Sequence, residues 1–564
     1  AESPPLTRTE CEPDLGRVTV SAHLDPGRPV RMVKLLSYHW SSRQSIEWLR
    51  DQVDASLQNA LAEGFDGLAA AQRAHLDAYW ASAKVELDGD PEIQQGLRFA
   101  QFQLLQAATH AETRAIPAKG LTGPGYDGHA FWDTEGYVLP ALVFSQPALA
   151  RDALVWRHST LELAKERARQ LGLRGATFPW RTIHGEECSG YWPAGTAAFH
   201  VNADIARAVQ LYVDVTADGD FERDAGVELL CETARLWESF GYHAADGRFR
   251  IDGVTGPDEY SALADNNLYT NLMARDNLRY AAAAAERHTA TADRLGITAE
   301  EIAAWRRAAD AIAIPYDARV GVHQQNEGFT DNERWDFAGT GEGEYPLLLH
   351  HHYLNLYRKQ VVKQADLVMA MFTCGDAFDD DQKRRNFDYY EGLTVRDSSL
   401  SACIQAVMAA EVGHRDLAYD YLAEAALTDL HDLKGNVRDG LHIASLAGAL
   451  LATVAGFGGL RRDGGRLSFR PCLPAGLDRL AFPLSFRGRR LHVEVRPDAA
   501  TYSLDAENAP LPIVHWGEEA VVERSITLAI PRAPDIARPS QPEGRAPRRR
   551  ARDVAGAEGV AGRE

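Results

Sequence analysis

The sequence predicts a mainly α-helical protein: a closed barrel of paired helices, with β-structure at either end. Three observations carry that reading. From Pro91 to about Gly456, about twelve alanine-rich segments of similar length repeat apolar residues at the 3.6-residue period, with no strand pattern between them. No fixed-length repeat of the solenoid kind accompanies them, which favours a ring over an open array. Past Gly456 the period changes to two, in L-S-F-R-P, L-A-F-P-L-S-F-R-G and L-H-V-E-V-R-P, with turns between, as in an antiparallel sandwich.

The totals agree. A chain of 564 residues exceeds one core and suggests about three structural units. Its 45% hydrophobic and 25% charged residues are those of a soluble globular protein. A net charge of -20 argues against nucleic acid or an anionic membrane as partner. The six cysteines are scattered without C-x-x-C spacing and read as reduced thiols of a cytoplasmic protein. No signal peptide opens the chain and no apolar run is long enough to span a bilayer.

In order, residues 1–44 read as strands, V-T-V-S-A-H-L and V-R-M-V-K-L-L within Arg17–Ser37, the remnant of a larger N-terminal β-sandwich. Residues 45–90 carry two helical patterns and read as a linker. The barrel takes 91–456. Its segments include Ala148–Leu171, Arg358–Phe372 and Ser398–Glu411, and its long loops, rich in Gly, Pro and Trp, are Lys119–Trp132, Thr177–Gly195, Gly253–Asp265 and Val322–Tyr345. A C-terminal β-sandwich takes 457–527. The Pro-, Arg-, Gly- and Ala-rich tail 528–564 is expected to be disordered.

The loops carry the chemistry. Gly256-Pro257 forces a turn that presents Asp258 and Glu259, and a carboxyl at such a tip can protonate a leaving group. Phe131-Trp132-Asp133, Phe178-Pro179-Trp180 and Tyr191-Trp192 set tryptophans in three barrel-end loops, the first beside an acidic residue. In such a pairing the ring covers a sugar's apolar face and a carboxylate takes its hydroxyls. Lys363 and Gln364, in a helix with Val361, Val362 and Ala365, are donors that a polyol would satisfy. Asp397-Ser398-Ser399-Leu400-Ser401 and Gly440-Leu441-His442-Ile443-Ala444-Ser445 each open a helix, where free N–H groups favour an anion. Hydrolysis with inversion needs an acid and a second carboxylate about 6.5–9.5 Å away to activate water. Phosphate is already a nucleophile, so one acid facing an anion pocket suits phosphorolysis.

Taken together these motifs resemble glycoside hydrolase family 65, the inverting α-glucoside phosphorylases of maltose, trehalose and kojibiose type. The resemblance runs from about Val30 to Val522. It rests on F-W-D-T-E at Phe131–Glu135, N-A-D-I at Asn202–Ile205, G-P-D-E-Y at Gly256–Tyr260 and D-N-N-x-Y-T-N at Asp265–Asn271. It rests equally on V-V-K-Q-A-D at Val361–Asp366, D-S-S-L-S at Asp397–Ser401 and D-G-L-H-I-A-S-L-A-G at Asp439–Gly448. It implies an (α/α)6 barrel between two β-sandwiches, with Glu259 as proton donor. It implies further that Trp132, Asp133, Lys363 and Gln364 bind the glucosyl unit, and that Ser398, Ser399, His442 and Ser445 bind phosphate. The expected reaction converts an α-glucosyl disaccharide and phosphate to β-glucose 1-phosphate and a free sugar. No metal or organic cofactor is expected, inorganic phosphate is the co-substrate, and a homodimer is compatible with the family. Ser261-Ala262-Leu263 stands where maltose- and kojibiose-type sequences usually carry a histidine, which inclines the reading to trehalose over maltose or kojibiose. The alternatives are an acid-trehalase-like hydrolase on the same scaffold, with Asp397 or Asp439 as a second carboxylate, and a carbohydrate-binding protein without catalysis.

Overall fold

The computed structural model describes residues 6–41, 44–109, 111–112, 114–190, 193–463, 465–532 and 536–549. Residues 1–81 and 82–564 are two compact units. In the first, β1 (Leu6–Glu12) and β2 (Leu15–Ser21) pair as an antiparallel hairpin, Leu6 opposite Ser21. The strand predicted over Val30–Leu36 is not there. Its residues alternate correctly but have no neighbouring strand to pair with among the described residues, and Val30, Met32 and Leu36 are exposed. α1 (Ile46–Ala83) breaks at Gly64, whose φ of 68° ends one helical run and starts another, as the two sequence patterns imply.

The second unit is organised by a ring. Six inner helical segments are Thr134–Val138 continuing into α3 (Leu139–Leu142), α6 (His200–Thr216), α8 (Leu268–Arg287), α10 (Leu367–Thr373), α12 (Ser401–Val412) and α14 (Ile443–Leu451). Each packs on the next, and α14 returns to Thr134–Leu142 to close the circle. The outer helices are α2 (Pro91–Ala108), α4 (Pro147–Ser159), α7 (Val227–Phe240), α9 (Ala299–Asp310), α11 (Asp380–Glu391) and α13 (Arg415–Leu427), with α5 (Leu161–Gln170) extending the second. This is the (α/α)6 barrel. Composition separates the two layers. Along α12 every residue but Glu411 is buried, as a helix apolar on all sides must be. On α11 only Asn386, Phe387, Tyr390 and Glu391 are buried. The single helix predicted over Ala148–Leu171 is two, divided at Thr160, whose side chain turns back to the Arg157 carbonyl.

The sandwich that follows has two sheets. One runs β4 (Leu460–Asp463), β5 (Arg466–Phe469), β9 (Leu511–His515), β10 (Glu518–Val522). The other runs β11 (Ser525–Ala529), β8 (Ala499–Leu504), β7 (Arg489–Val495), β6 (Arg479–Phe486) and, at its edge, β3 (Glu86–Asp88), which comes from the expected linker. All pairs are antiparallel except β5 with β9.

The tail differs from expectation. The sequence predicts disorder from 528, yet residues 536–549 lie along the barrel. Gln541 donates to Glu391 at 2.7 Å, Arg548 N–H donates to Glu424 at 3.0 Å, and Arg549 pairs with Asp90 at 2.7 Å. Those carboxylates are buried and require donors, and a polar, arginine-rich segment without a core of its own supplies them. Residues 550–564 lie outside the described residues.

Candidate active site

Because each outer helix carries the chain back, all six inner helices start at the same end, and the candidate residues precede or open those starts. Trp132 and Asp133 precede Thr134. Glu259 lies on the loop before α8, and Lys363 and Gln364 precede α10. Ser398 and Ser399 precede α12, His442 precedes α14, and Ser445 sits in its first turn.

The acid turn is pinned from below. Val254 and Ala264 exchange backbone hydrogen bonds of 3.0 and 2.7 Å, closing the loop's base. Gly256 leaves no room for a Cβ, which would land on the Asn267 amide and the Asp366 carboxylate. Asp258 N–H donates to Asp366 at 3.1 Å, and Asn267 holds the same carboxylate at 3.1 Å while its oxygen caps α8 at Thr270 N–H. Asp258 itself is fully buried and accepts from Lys363 N–H at 2.7 Å, Gln325 Nε2 at 2.9 Å and Tyr260 N–H at 3.3 Å. Burial pushes its carboxyl up to about 7 despite those bonds. Glu259, one residue on, keeps 17% of its side chain exposed and pairs with the Lys363 ammonium at 3.0 Å. Of the two carboxyls, Glu259 is the one free to meet a ligand.

Lys363 and Gln364 are not helical. Val362 takes a hydrogen bond from Val395 and gives one to Leu393, and Asp397 N–H donates to the Lys363 carbonyl at 3.1 Å, so the segment runs extended beside residues 393–397. α10 starts only at Leu367. Gln364 is buried, and its amide donates to the Pro257 carbonyl at 2.5 Å, bracing the acid turn.

Trp132 is 4% exposed, with Tyr137, His200 and Tyr269 rings edge-on at 5.4, 5.0 and 6.2 Å. A Cβ at Gly136 would come within 2.8 Å of the indole. The ring is therefore built into the wall rather than standing open. Asp133 beside it is raised to about 7 by desolvation, to which the charges of Glu135 and Glu259 add and that of Lys119 is opposed. Glu135 is committed to a buried bidentate pair with Arg157, at 2.6 and 3.0 Å. Asn202 accepts from Phe178 N–H, and Asp204 is held by His200 and Tyr269. Much of the motif set is thus wiring. Trp180 packs edge-on against Phe131 at 5.1 Å, and Tyr191-Trp192 lie outside the described residues.

On the anion side, α12 begins at Ser401, three residues later than predicted. The Ser398 hydroxyl accepts from Leu400 N–H at 3.2 Å, and Ser399 is half-buried at the same bend. His442 is oriented by Asp429, which takes its Nδ1 at 2.7 Å and its N–H at 2.8 Å. Gly448 of α14 meets Cys403 of α12 face to face, so the first turns of these parallel helices lie together. In those turns the hydroxyls of Ser401 and Ser445 are fully buried with no hydrogen-bond partner among the described residues. Asp397 is saturated: Tyr260 OH donates at 2.8 Å, Leu347 N–H at 2.9 Å, and Arg545 pairs with it at 2.8 Å.

Sequence reasoning did not single out Ser401, Lys119, Asp429 or Arg545. Ser401 stood in a quoted motif, masked by the misplaced helix start. Lys119, buried beside Asp133, marked only a loop boundary. Asp429 and Arg545 had no local signal. A cavity of about 1450 Å³, lined by Arg207, Asp276, Glu411 and Phe482 among others, lies elsewhere and holds none of the candidate residues.

Comparison with known proteins agrees with this layout. The glycosyl hydrolase family 65 central catalytic domain matches residues 98–451, the family's C-terminal domain 460–522 and its N-terminal domain 1–79. An uncharacterized glycosyl hydrolase of Mycobacterium tuberculosis is 56% identical over 543 residues, covering 96% of this chain and 69% of its own. The α,α-trehalose phosphorylase of Thermoanaerobacter brockii is 40% identical over 523 residues, 91% of this chain and 67% of its own. A solved structure assigned as a kojibiose phosphorylase from the human microbiome superposes with a TM-score of 0.82 at 31% identity, covering 88% of this chain and 74% of that one. On these matches, and on a ring of helix starts that gathers the family's motifs at one mouth, the chain belongs to glycosyl hydrolase family 65.

Proposed function

We propose that this chain is an inverting α-glucoside phosphorylase acting in the cytoplasm. Glu259 gives its proton to the glycosidic oxygen. A phosphate oxygen attacks the anomeric carbon from the opposite face, the bond to the leaving sugar breaks, and β-glucose 1-phosphate and a free sugar result. Asp133 and Lys363 receive the glucosyl hydroxyls, and Trp132 and Gln364 hold the wall and the acid turn behind them. Phosphate takes the starts of α12 and α14, with Ser398, Ser399, His442 and Ser445, and with Ser401 added.

One observation carries the reading: Ser401 and Ser445 are buried hydroxyls, without a partner among the described residues, on adjacent helix starts, where N–H groups and the helix dipole favour an anion. The hydrolytic alternative needs a second carboxylate as base, and Asp397, the nearest in sequence, is already taken by three donors. Trehalose is the preferred substrate in this reading. Identity to the trehalose phosphorylase is 40%, against 31% to the kojibiose-type structure, and Ser261-Ala262-Leu263 follow the acid turn. A panel of glucose disaccharides assayed for β-glucose 1-phosphate tests it. Trehalose should be cleaved only with phosphate; equal glucose release without phosphate would discard phosphorolysis.

A further inference from the structure

Asp397 stands between the two halves of the mouth. Its N–H donates to the Lys363 carbonyl, its Oδ2 takes the hydroxyl of Tyr260, the residue after Glu259, and the next residues are Ser398 and Ser399. A side chain that exposes 1% of its surface needs a counter-charge, and the cation comes from far along the chain. Arg545 gives Nη2–H to Asp397 Oδ1 at 2.8 Å and Nε–H to the Val395 carbonyl at 2.7 Å. Its guanidinium lies 4.3 Å from the centroid of the Tyr345 ring. The Arg545 carbonyl accepts from Arg396, and its N–H closes a turn on the Pro542 carbonyl at 3.0 Å. Arg545 and its turn lie beyond residue 522, where the match to the family's C-terminal domain ends.

We propose that Arg545 is a positioning residue for the reaction: by holding Asp397 it fixes the phosphate-binding bend at Ser398-Ser399 together with the Glu259 turn, and it offsets a carboxylate charge that would otherwise repel the incoming anion. This rests on the phosphorolytic reading above. The contact geometry is specific to arginine, since a lysine ammonium reaches Asp397 but cannot bridge to Val395 and stack on Tyr345 at once.

The test uses the full chain and four proteins: wild type, Arg545→Ala, Arg545→Lys and, as a control on the same tail, Arg549→Ala, whose partner Asp90 caps α2 at Glu92 and Ile93. Wild-type cleavage with and without phosphate comes first. Phosphate affinity is then measured by calorimetry, and KM for phosphate and for disaccharide by initial rates, on samples whose unfolding temperatures establish that they are folded. Arg545→Ala should weaken phosphate binding and raise its KM by about tenfold or more, as loss of one partner of a buried pair requires, with a smaller change in KM for the sugar. Millimolar guanidinium should restore part of it, Arg545→Lys should fall between, and Arg549→Ala should match wild type. Unchanged phosphate affinity in a folded Arg545→Ala overturns the proposal, as does an equal loss in Arg549→Ala, which would make the tail a general clamp. If wild type cleaves equally without phosphate, phosphorolysis fails by itself, and Arg545 is judged on the hydrolytic rate. There, because Asp397 also holds Tyr260, a drop restored by guanidinium upholds the role and an unchanged rate ends it.

Discussion

Asp258 and Glu259 are neighbours with opposite environments, and that difference assigns their work. Asp258 spends its oxygens on three donors and never reaches the mouth, while Glu259 pairs with Lys363 and keeps part of its side chain exposed. Glu259→Gln should therefore lower kcat by at least about a hundredfold, the span of a lost general acid, while trehalose still binds by calorimetry. A second prediction concerns pH. Asp133 is raised to about 7 from an unfolded value near 3.8, so between those values the folded state holds a proton that the unfolded state has lost. Its contribution to stability is full below pH 4, declines as pH rises, and is gone above 7. Asp258 behaves alike, whereas His323 and His515, lowered by burial, act in the other direction below about 6.5. Asp133→Asn should accordingly flatten the dependence of unfolding free energy on pH between 5 and 7. The slope it removes is at most about 1.4 kcal/mol per pH unit, read by denaturant titration at each pH.

At the scale of elements, the decisive feature is how loops are forced to meet helix starts. The Arg358–Phe372 segment has the apolar spacing of a helix, and only its last six residues, from Leu367, adopt one. Val362 and Lys363 instead pair with 393–397, because β-branched Val362 and Val395 fit an extended ladder and that pairing delivers Lys363 to Glu259. The start of α12 moved for a related reason: Asp397, which reads as an N-cap, is drawn off to Tyr260 and Arg545, and Leu400 stands at the cap instead. Gly256→Ala tests how tightly the acid loop is wound. Its Cβ would strike Asn267 and Asp366, so it should cost about 1–3 kcal/mol in denaturant unfolding and lower kcat. The spacing matched the helix over Leu268–Arg287, and it misled over Arg358–Phe372 and at the start of α12, where a distant strand or charge competed for the same residues.

Over the whole molecule, the barrel and the C-terminal sandwich are tied by a strand that precedes the first and belongs to the second. β3 pairs with β6, and Arg479 gathers Glu86, Asp88 and Glu494 across that seam. Leu480, fully buried on β6 opposite Leu87, should lose about 2–5 kcal/mol on replacement by Ala. Calorimetry should then find barrel and sandwich still melting as one transition at lower temperature; a separate sandwich transition would mean the seam does not couple them.

The sequence alone determined the helical period, the twelve-helix count of the ring, the switch to strands after Gly456 and the ordered motifs that mark the family, because each is written in short-range spacing. Only the tertiary structure decided which motif side chains face the mouth. Trp132 and Glu135 turned out to be wall and strut, Lys363 lay in an extended segment, and the arginine-rich tail came to rest on Asp397. Those outcomes depend on ring closure and on buried charges finding partners more than a hundred residues away, Tyr260 with Asp397 and Arg545 with Asp397, and no local periodicity encodes such pairings.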